Sequence, residues 1–490
     1  MKLFDFRGGV HPPGHKHLSA ERPIQIMPFP ERLYLPLQQH RGKSALPVVT
    51  VGQKVLQGEL LAKAQGSVSA PVHAPTSGTI IAIGDFNAPH PSGLPLPTIT
   101  LEPDGEDRKL ELGPLPDPFT LEPAEVARLI GDAGIVGMGG ANFPSAVKLG
   151  MARKAEVHTL VLNGAECEPY MTCDDRLMRE RSAAIVDGAR IMLHAIQAQR
   201  AVIAIEDNKP EAAAQLQAAC EAVSDQPLSV EVVVIPSRYP AGSASQLIQL
   251  LTGLEVPAEG RSTVTGLLVH NVGTAYAVHR ALREGRPLIS RIVTVTGGAV
   301  AEPQNLEAPI GALAEDMLRF CGVDSAAIAR LLMGGPMMGQ PMPNAQIPLV
   351  KGANGLLALT AAEIAGLPET TACIRCGRCA SVCPMGLLPL EMAKRAHHDD
   401  PDGAMAFGLD DCMSCGSCAY ACPSHIPLVQ YFDYARGALA AREQADQRAE
   451  TARRLMAERQ ARLDRQERAK LEAAARRRAE KQKSGAGTPA

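Results

Sequence analysis

Eight cysteines carry the most specific chemistry in this sequence. Cys373, Cys376, Cys379 and Cys383, followed by Pro384, are repeated in spacing by Cys412, Cys415, Cys418 and Cys422, followed by Pro423. The run C-x2-C-x2-C-x3-C-P is a ligand pattern for cubane iron–sulfur clusters. Two-residue gaps on a tight loop bring three thiolates around one corner of a cubane. The fourth cysteine, after a longer gap, points away and serves the other cluster. The spacing therefore predicts one [4Fe–4S] cluster on Cys373, Cys376, Cys379 and Cys422, and a second on Cys412, Cys415, Cys418 and Cys383. Structural zinc prefers C-x-x-C pairs separated by a longer arm, and disulfide frameworks belong to small secreted domains. One-electron transfer is the chemistry these residues predict.

The elements that position such groups need a large chain, and 490 residues provide room for about three or four domains. The net charge of −3 makes the whole molecule an unpromising nucleic-acid binder. Cys167, Cys173, Cys220 and Cys321 are scattered, which fits a reducing cytoplasm. Met1 to Pro13 carries Gly8-Gly9 and Pro12-Pro13 where a signal peptide needs an apolar stretch, and no run reaches the length of a membrane span. Attachment to a membrane is expected to come through a partner.

From about Pro47 to Ile83 short apolar runs alternate with glycine turns, and the phrase V-x-x-G-E-x-L…A-P-x-x-G-x-I resembles the biotinyl/lipoyl-type barrel sandwich. The modified lysine of such carriers would fall near Ser67, so a scaffold rather than a carrier is expected. Beyond the proline-rich Gly113–Pro118, apolar runs at 157–162, 201–205 and 232–235 alternate with helix-period segments at 181–198 and 210–223, which predicts an α/β layer with parallel strands. Residues 267–282 and the strand-like Ile292–Thr296 are expected to begin a smaller α+β region. Its glycine turns, Thr296-Gly297-Gly298 and Gly334-Gly335-Pro336, read as turns rather than a cofactor site. From about Ala435 a tail rich in Ala, Arg, Glu and Gln reads as a long helix. Residues 441–483 hold 14 Lys/Arg against 8 Asp/Glu, a solvated helix or a docking arm for an acidic partner or anionic membrane face.

A second stretch with chemistry is Gly134-Ile-Val-Gly-Met-Gly-Gly-Ala-Asn-Phe-Pro-Ser-Ala-Val-Lys148. It lacks the G-x-G-x-x-G spacing of dinucleotide folds. Gly137, Gly139 and Gly140 would let backbone N–H groups approach a phosphate, with Lys148 adding charge from the next helix. Leu160 to Pro169 places polar groups directly after a buried strand, the edge where α/β sheets bind ligands. These patterns alone leave a phosphate-bearing cofactor and ordinary loops both open.

The loop resembles the G-x-G-G-A-G-F-P-x-x-x-K flavin loop of the FMN- and NADH-binding subunit of respiratory complex I, and the strand end resembles that subunit's N-A-D-E-x-E-P-G. The domain order, together with Arg238–Leu247, Asn271–Val278 and Cys422–Phe432, resembles the C subunit of Rnf/Rsx-type ion-translocating electron transport complexes over residues 1 to 435. That resemblance implies a multidomain α/β and α+β fold: a barrel-sandwich domain at 1–112, an FMN/NADH-binding α/β domain at 119–262 and a β-grasp-like domain at 263–355. A two-cluster ferredoxin-like domain at 365–434 and a charged helical tail at 435–490, disordered at its end, complete it.

By the same resemblance Gly137, Gly139, Gly140, Lys148 and Asn163 line FMN, Phe143 stacks on NADH, Glu168 meets the nicotinamide nucleotide and Asn271 contacts the flavin; Glu166 and Gly242 join this set. The implied protein sits peripherally on the cytoplasmic face of the bacterial inner membrane. It takes hydride from NADH onto FMN and sends single electrons through two [4Fe–4S] clusters to membrane subunits, and on to ferredoxin or a redox regulator. Ion movement belongs to those partners. Asn142, Ala165, Ser243, Ala244 and Ser245 depart from the related motifs. They leave room for a rival, a non-catalytic iron–sulfur conduit with a degenerate flavin site. Cys167, beside the site, reads as a buried passive thiol.

Overall fold

The computed structural model describes residues 2–111, 113–258, 260–365 and 369–485. It divides into two units: Met1–Leu387 with Asp411–Ile426, and Leu388–Asp410 with Pro427–Ala490.

In the first unit, alternation of apolar and polar residues gives strands with one buried face, as in Leu33-Tyr34-Leu35. Leu33–Pro36, Pro95–Pro103, Gly78–Asn87 and Lys54–Val55 form one antiparallel sheet; Leu46–Pro47, Leu60–Lys63 and Val72–His73 form another. Leu33, Leu35, Leu61, Ile80, Ile99 and Leu101 are fully buried in this barrel sandwich. Ser67 is an exposed bend between strands.

The α/β layer is built on four parallel strands in the order Ser229–Ile235, Arg200–Glu206, Thr159–Gly164, Leu267–Asn271. The two inner strands are nearly continuous apolar runs because helices cover both faces. Two of those helices, Ser182–Ile196 and Val272–Glu284, cross at Gly188, where a Cβ would stand 1.9 Å from the Ala275 carbonyl oxygen. The expected boundary at 262/263 therefore falls inside this layer. Leu267–Asn271 is its edge strand and Val272–Glu284 its last helix, a strand–helix pair whose apolar residues run together in sequence. The smaller sheet begins at Ser290 and continues past 355 to Leu359. Its strand order is Gln25–Ile26, Gln304–Pro309, Ser290–Thr296, Gly355–Leu359, Arg330–Met333, Gln340–Pro341. The first strand comes from ahead of the barrel.

Both cysteine runs lie in the first unit. Pro389–His397, Pro401–Ala406 and the helix Leu428–Gly485 make the second, so the tail helix starts inside the segment expected to be ferredoxin-like. Phe432 and Ala435 are buried there, and Arg442 pairs with Asp402 at 2.6 Å. From there to residue 482 the helix is almost wholly exposed, Leu455, Met456, Leu463 and Leu471 included. The expected disorder at the chain end concerns 486–490, which lie outside the described residues. No helix among the described residues is long and apolar enough to cross a membrane.

Three parts of the first unit meet on Lys351, which is 1% exposed. Its Nζ donates to the carbonyls of Pro71 in the barrel (2.6 Å) and Gly134 at the start of the glycine loop (2.7 Å), and its backbone N–H donates to Gln39 Oε1 (3.1 Å). Burial pulls the ammonium down to about 7, and burial together with the Lys351 charge holds the neighbouring His73 near 3. An unfolded Lys351 keeps its proton up to about 10.5, so the unfolded state binds more protons between pH 7 and 10.5. Stability from this residue rises with pH across that window. Relative to Lys351→Met, the native chain is expected to gain about 3 kcal/mol between pH 7 and about pH 9.5 in denaturant melts. A difference between the two proteins that stays constant with pH contradicts this.

Candidate functional site

The parallel register sets Asn163 beside Asn271 at the carboxyl edge of the sheet. Asn163 Nδ2 donates to the Gly242 carbonyl at 2.6 Å and its Oδ1 accepts from Ala165 N–H at 3.1 Å. Asn271 caps the helix Val272–Glu284 by accepting from Gly273 N–H (2.8 Å) and donates to Asp174 Oδ2 (2.6 Å). The glycine loop lies against this edge. A Cβ on Gly139 would stand 3.1 Å from Asn271 Cβ, whereas Gly140, at φ 141°, faces open space. The loop is closed by Gly137 N–H on the Phe143 carbonyl (2.9 Å) and tied to the helix by Met138 N–H on Thr274 Oγ1 (3.1 Å). Asn142 keeps the left-handed backbone of a glycine, φ 50°, and lays its side chain against Gly352.

Lys148 behaves differently from the expectation. Its Nζ bonds the Val269 carbonyl of the sheet rather than the glycine loop, and burial lowers it to about 8.

Two other lysines, which no motif marks, hold the loop after Asn163. Lys16 Nζ donates to the carbonyls of Glu166 (2.8 Å), Glu168 (3.0 Å) and Met171 (2.7 Å). Lys209 Nζ donates to the Ala165 carbonyl (2.6 Å) and to Glu206 Oε2 (3.0 Å). Lys209 is almost wholly buried and Lys16 is half-buried, and the sequence neighbours of both offer no period that would single them out. Next to Lys16, His15 stacks on Tyr170 with centroids 4.5 Å apart, and Tyr170 N–H reaches the Gly14 carbonyl at 2.7 Å. The segment ahead of the barrel thus clamps the sheet-edge loop. On that loop the Glu166 carboxylate caps the helix Cys173–Glu180 through Asp174 and Asp175 N–H (2.7 and 3.1 Å), and burial pushes it up to about 7 against the pull of Lys16. Glu168 Oε1 accepts from Met337 and Met338 N–H at 2.7 and 3.0 Å, and burial raises its pKa too. Cys167 accepts from Gly242 N–H at 3.4 Å, and burial pushes its thiol up to about 12, so it stays protonated.

The cysteine runs are one loop built twice. Arg375 and Ser414 share φ near 55° (56° and 54°), Gly377 and Gly416 share the left-handed region (75° and 78°), and each loop runs into a short helix, Arg378–Ser381 or Ser417–Tyr420. Cys383, Cys415 and Cys418 are buried, while Cys373 and Cys376 are exposed. After burial, the neighbours that raise the Cys418 thiol are Cys415, Cys412 and Cys383. Cys383 of the first run is thus a neighbour of Cys418 in the second. Among the described residues no three side chains close around a single metal ion; thiolates around a cubane stand wider apart than ligands on one ion.

The two halves of the site touch. Tyr239, from the segment that supplies Gly242, donates its hydroxyl to the Cys415 carbonyl at 2.6 Å. Gln246, on the next helix, reaches the Pro384 carbonyl at 3.4 Å. Gly416 packs on Met337, whose own N–H holds Glu168. Val10, Tyr239 and Cys415 are buried together, with Cys167, Met337 and Val382 packed against them.

Comparison with known proteins follows this architecture. An RnfC barrel sandwich hybrid domain matches residues 4–106, a Nuo51 FMN-binding domain matches 130–280 and a 4Fe-4S dicluster domain matches 372–426. The C subunit of the ion-translocating oxidoreductase complex of Rhodobacter capsulatus is 50% identical over 90% of this chain and 85% of its own length. Its counterpart from Pseudomonas aeruginosa is 47% identical over 95% of this chain and 59% of its own, and that from Haemophilus influenzae strain 86-028NP is 43% identical over 95% and 69%. An NAD+-reducing [NiFe]-hydrogenase in the H2-reduced state superposes with a TM-score of 0.49 at 19% identity, covering 66% of this chain and 67% of its own. Half of the aligned residues shared with a relative covered over most of its length, together with a match to the RnfC barrel sandwich hybrid domain, place this chain in the RnfC family, the C subunits of ion-translocating oxidoreductase complexes.

Proposed function

We propose that this chain is the NADH-oxidising peripheral subunit of its complex, with FMN at the edge of the parallel sheet and two [4Fe–4S] clusters on the paired cysteine loops. Electrons then pass to membrane partners and on to ferredoxin or a redox regulator at the cytoplasmic face. Bound FMN supplies the exchange between a hydride donor and one-electron acceptors. The residues of the chain supply its placement. Gly140 leaves the sheet edge open to a flat ligand, Gly139 lets the loop lie close against Asn271, Asn163 and Asn271 hold fixed amides at that edge, and Phe143 is assigned to stack on the nicotinamide nucleotide. Asn142, turned toward Gly352, does not fill that opening. Glu168 is assigned to the nicotinamide nucleotide.

The observation that carries this reading is the segment 238–247. It holds Asn163 through Gly242 and holds the Cys415 loop through Tyr239, so a cofactor at the sheet edge has a cluster-ligand loop as its neighbour. The same contact supports an order, with the cluster on Cys412, Cys415, Cys418 and Cys383 first and that on Cys373, Cys376, Cys379 and Cys422 second. The conduit alternative draws on Lys148 and Glu168, both engaged within the protein, at Val269 and at Met337–Met338.

Anaerobic titration of the FMN- and iron-reconstituted protein with NADH, followed by visible absorption and EPR, separates the two. Flavin bleaching accompanied by reduced-cluster signals is the expected result. Clusters that answer only dithionite, with no flavin retained, would establish the conduit instead. A second outcome follows from the lysine clamp. Lys16→Met leaves three part-buried carbonyls without this donor, at about 1–3 kcal/mol, so FMN affinity should fall about 10- to 100-fold in fluorescence titrations. Lys16→Arg should recover part of it. Unchanged flavin binding in Lys16→Met would show that the clamp plays no part in the site.

A further inference from the structure

The duplicated cysteine loop differs between its copies in a way that the clusters themselves do not require. Aligned by their cysteines, Cys373-Ile-Arg-Cys-Gly-Arg-Cys379 faces Cys412-Met-Ser-Cys-Gly-Ser-Cys418. The backbones match at the second and third intervening positions, as the φ values of Arg375 and Ser414 and of Gly377 and Gly416 show. The copy that packs on Tyr239 and Met337 has Ser414 and Ser417, and Ser417 is fully buried. The other copy has Arg375 and Arg378, both exposed, together with Ile374 at 68% exposure and the exposed thiols Cys373 and Cys376. Neither arginine enters an ion pair among the described residues. Serines satisfy a buried loop at little desolvation cost. Two exposed guanidiniums that enter no ion pair among the described residues, on the same loop as an exposed apolar residue, leave a loop suited to a charged partner instead.

We infer that the Ile374–Arg378 loop is the electron-exit surface of this chain, and that its partner is a redox protein domain presenting carboxylates around its own acceptor. The inference rests on the proposed cluster assignment. Cation–carboxylate complementarity steers such an encounter and orients it, while the small apolar Ile374 contact keeps the complex short-lived, as electron transfer needs. In the transfer the exposed cluster loses one electron and the partner's acceptor gains it, with no bond made or broken. The exposed cysteines bring the donor edge to the surface without a side chain in between.

The test uses the full-length, cluster-reconstituted chain, reduced with dithionite so that the outcome does not depend on NADH chemistry. It is mixed by stopped flow with membranes from cells lacking this subunit, at low and at high salt. Arg375→Glu/Arg378→Glu should slow cluster reoxidation about tenfold or more at low salt, with EPR showing both clusters intact. Arg375→Ser/Arg378→Ser, which copies the buried loop, should flatten the salt dependence, and Arg375→Lys/Arg378→Lys should retain most of the native rate. Equal rates and equal salt slopes for the native, Glu and Ser proteins would overturn the inference. So would a Glu-variant defect that vanishes with detergent-solubilised partner and is matched by lost binding to phosphatidylglycerol vesicles, because the loop would then be a lipid contact. Failure of NADH to bleach the flavin with this salt-dependent exit intact would count against the dehydrogenase reading alone.

Discussion

A chain leaving a buried strand in irregular backbone must find donors for its carbonyls, and here two buried ammonium groups provide them. Lys16 takes three carbonyls of the loop after Asn163, and Lys209 takes a fourth. The exchange works in both directions, because each lysine needs acceptors as much as the loop needs donors. With the backbone fixed, Glu166 is free to cap a helix and Glu168 to receive two amides from the smaller sheet. The rest of the site depends on this cage. Its main cation comes from the segment ahead of the barrel, so the flavin-type layer is completed by residues outside its own fold.

The same loop brings the sheet edge proposed for the cofactor to the cysteine loops. Met337 lies between Glu168 and Gly416, and Tyr239 lies between the Gly242 turn and Cys415. A redox subunit needs its centres at fixed separation, since tunnelling falls steeply with distance, and packed side chains with hydrogen-bonded carbonyls provide that rigidity better than a linker. The internal repeat then serves two purposes. One copy is buried against the flavin-type layer, and the other keeps two cysteines and two arginines in solvent.

Much of this was legible in sequence where a local rule applied. The cysteine spacing foretold a loop built twice, and the matching backbones of the two runs bear that out, because loop geometry at that scale is local. The strands at 157–162, 201–205 and 232–235 were legible as apolar runs, and the long tail helix as a stretch free of glycine and proline. The strand Leu267–Asn271 was hidden because its apolar residues continue without a break into those of the helix that follows. Lys16 and Lys209 were invisible, as a buried lysine has no signature until the carbonyls around it are assembled from distant segments. Lys148 shows the opposite limit. A motif position predicted a charge on the glycine loop, and the fold ties that ammonium to Val269.

The central claim is that electrons enter the cluster pair through the loop bonded to Tyr239. Rapid freeze-quench EPR after mixing with NADH, in Cys376→Ser and Cys415→Ser proteins reconstituted with FMN and iron, tests it most directly. The account predicts that Cys376→Ser reduces its remaining cluster as fast as the native chain does, while Cys415→Ser bleaches its flavin yet fills its remaining cluster far more slowly. The reverse pattern, with fast filling only when the Cys415 loop is broken, would contradict it.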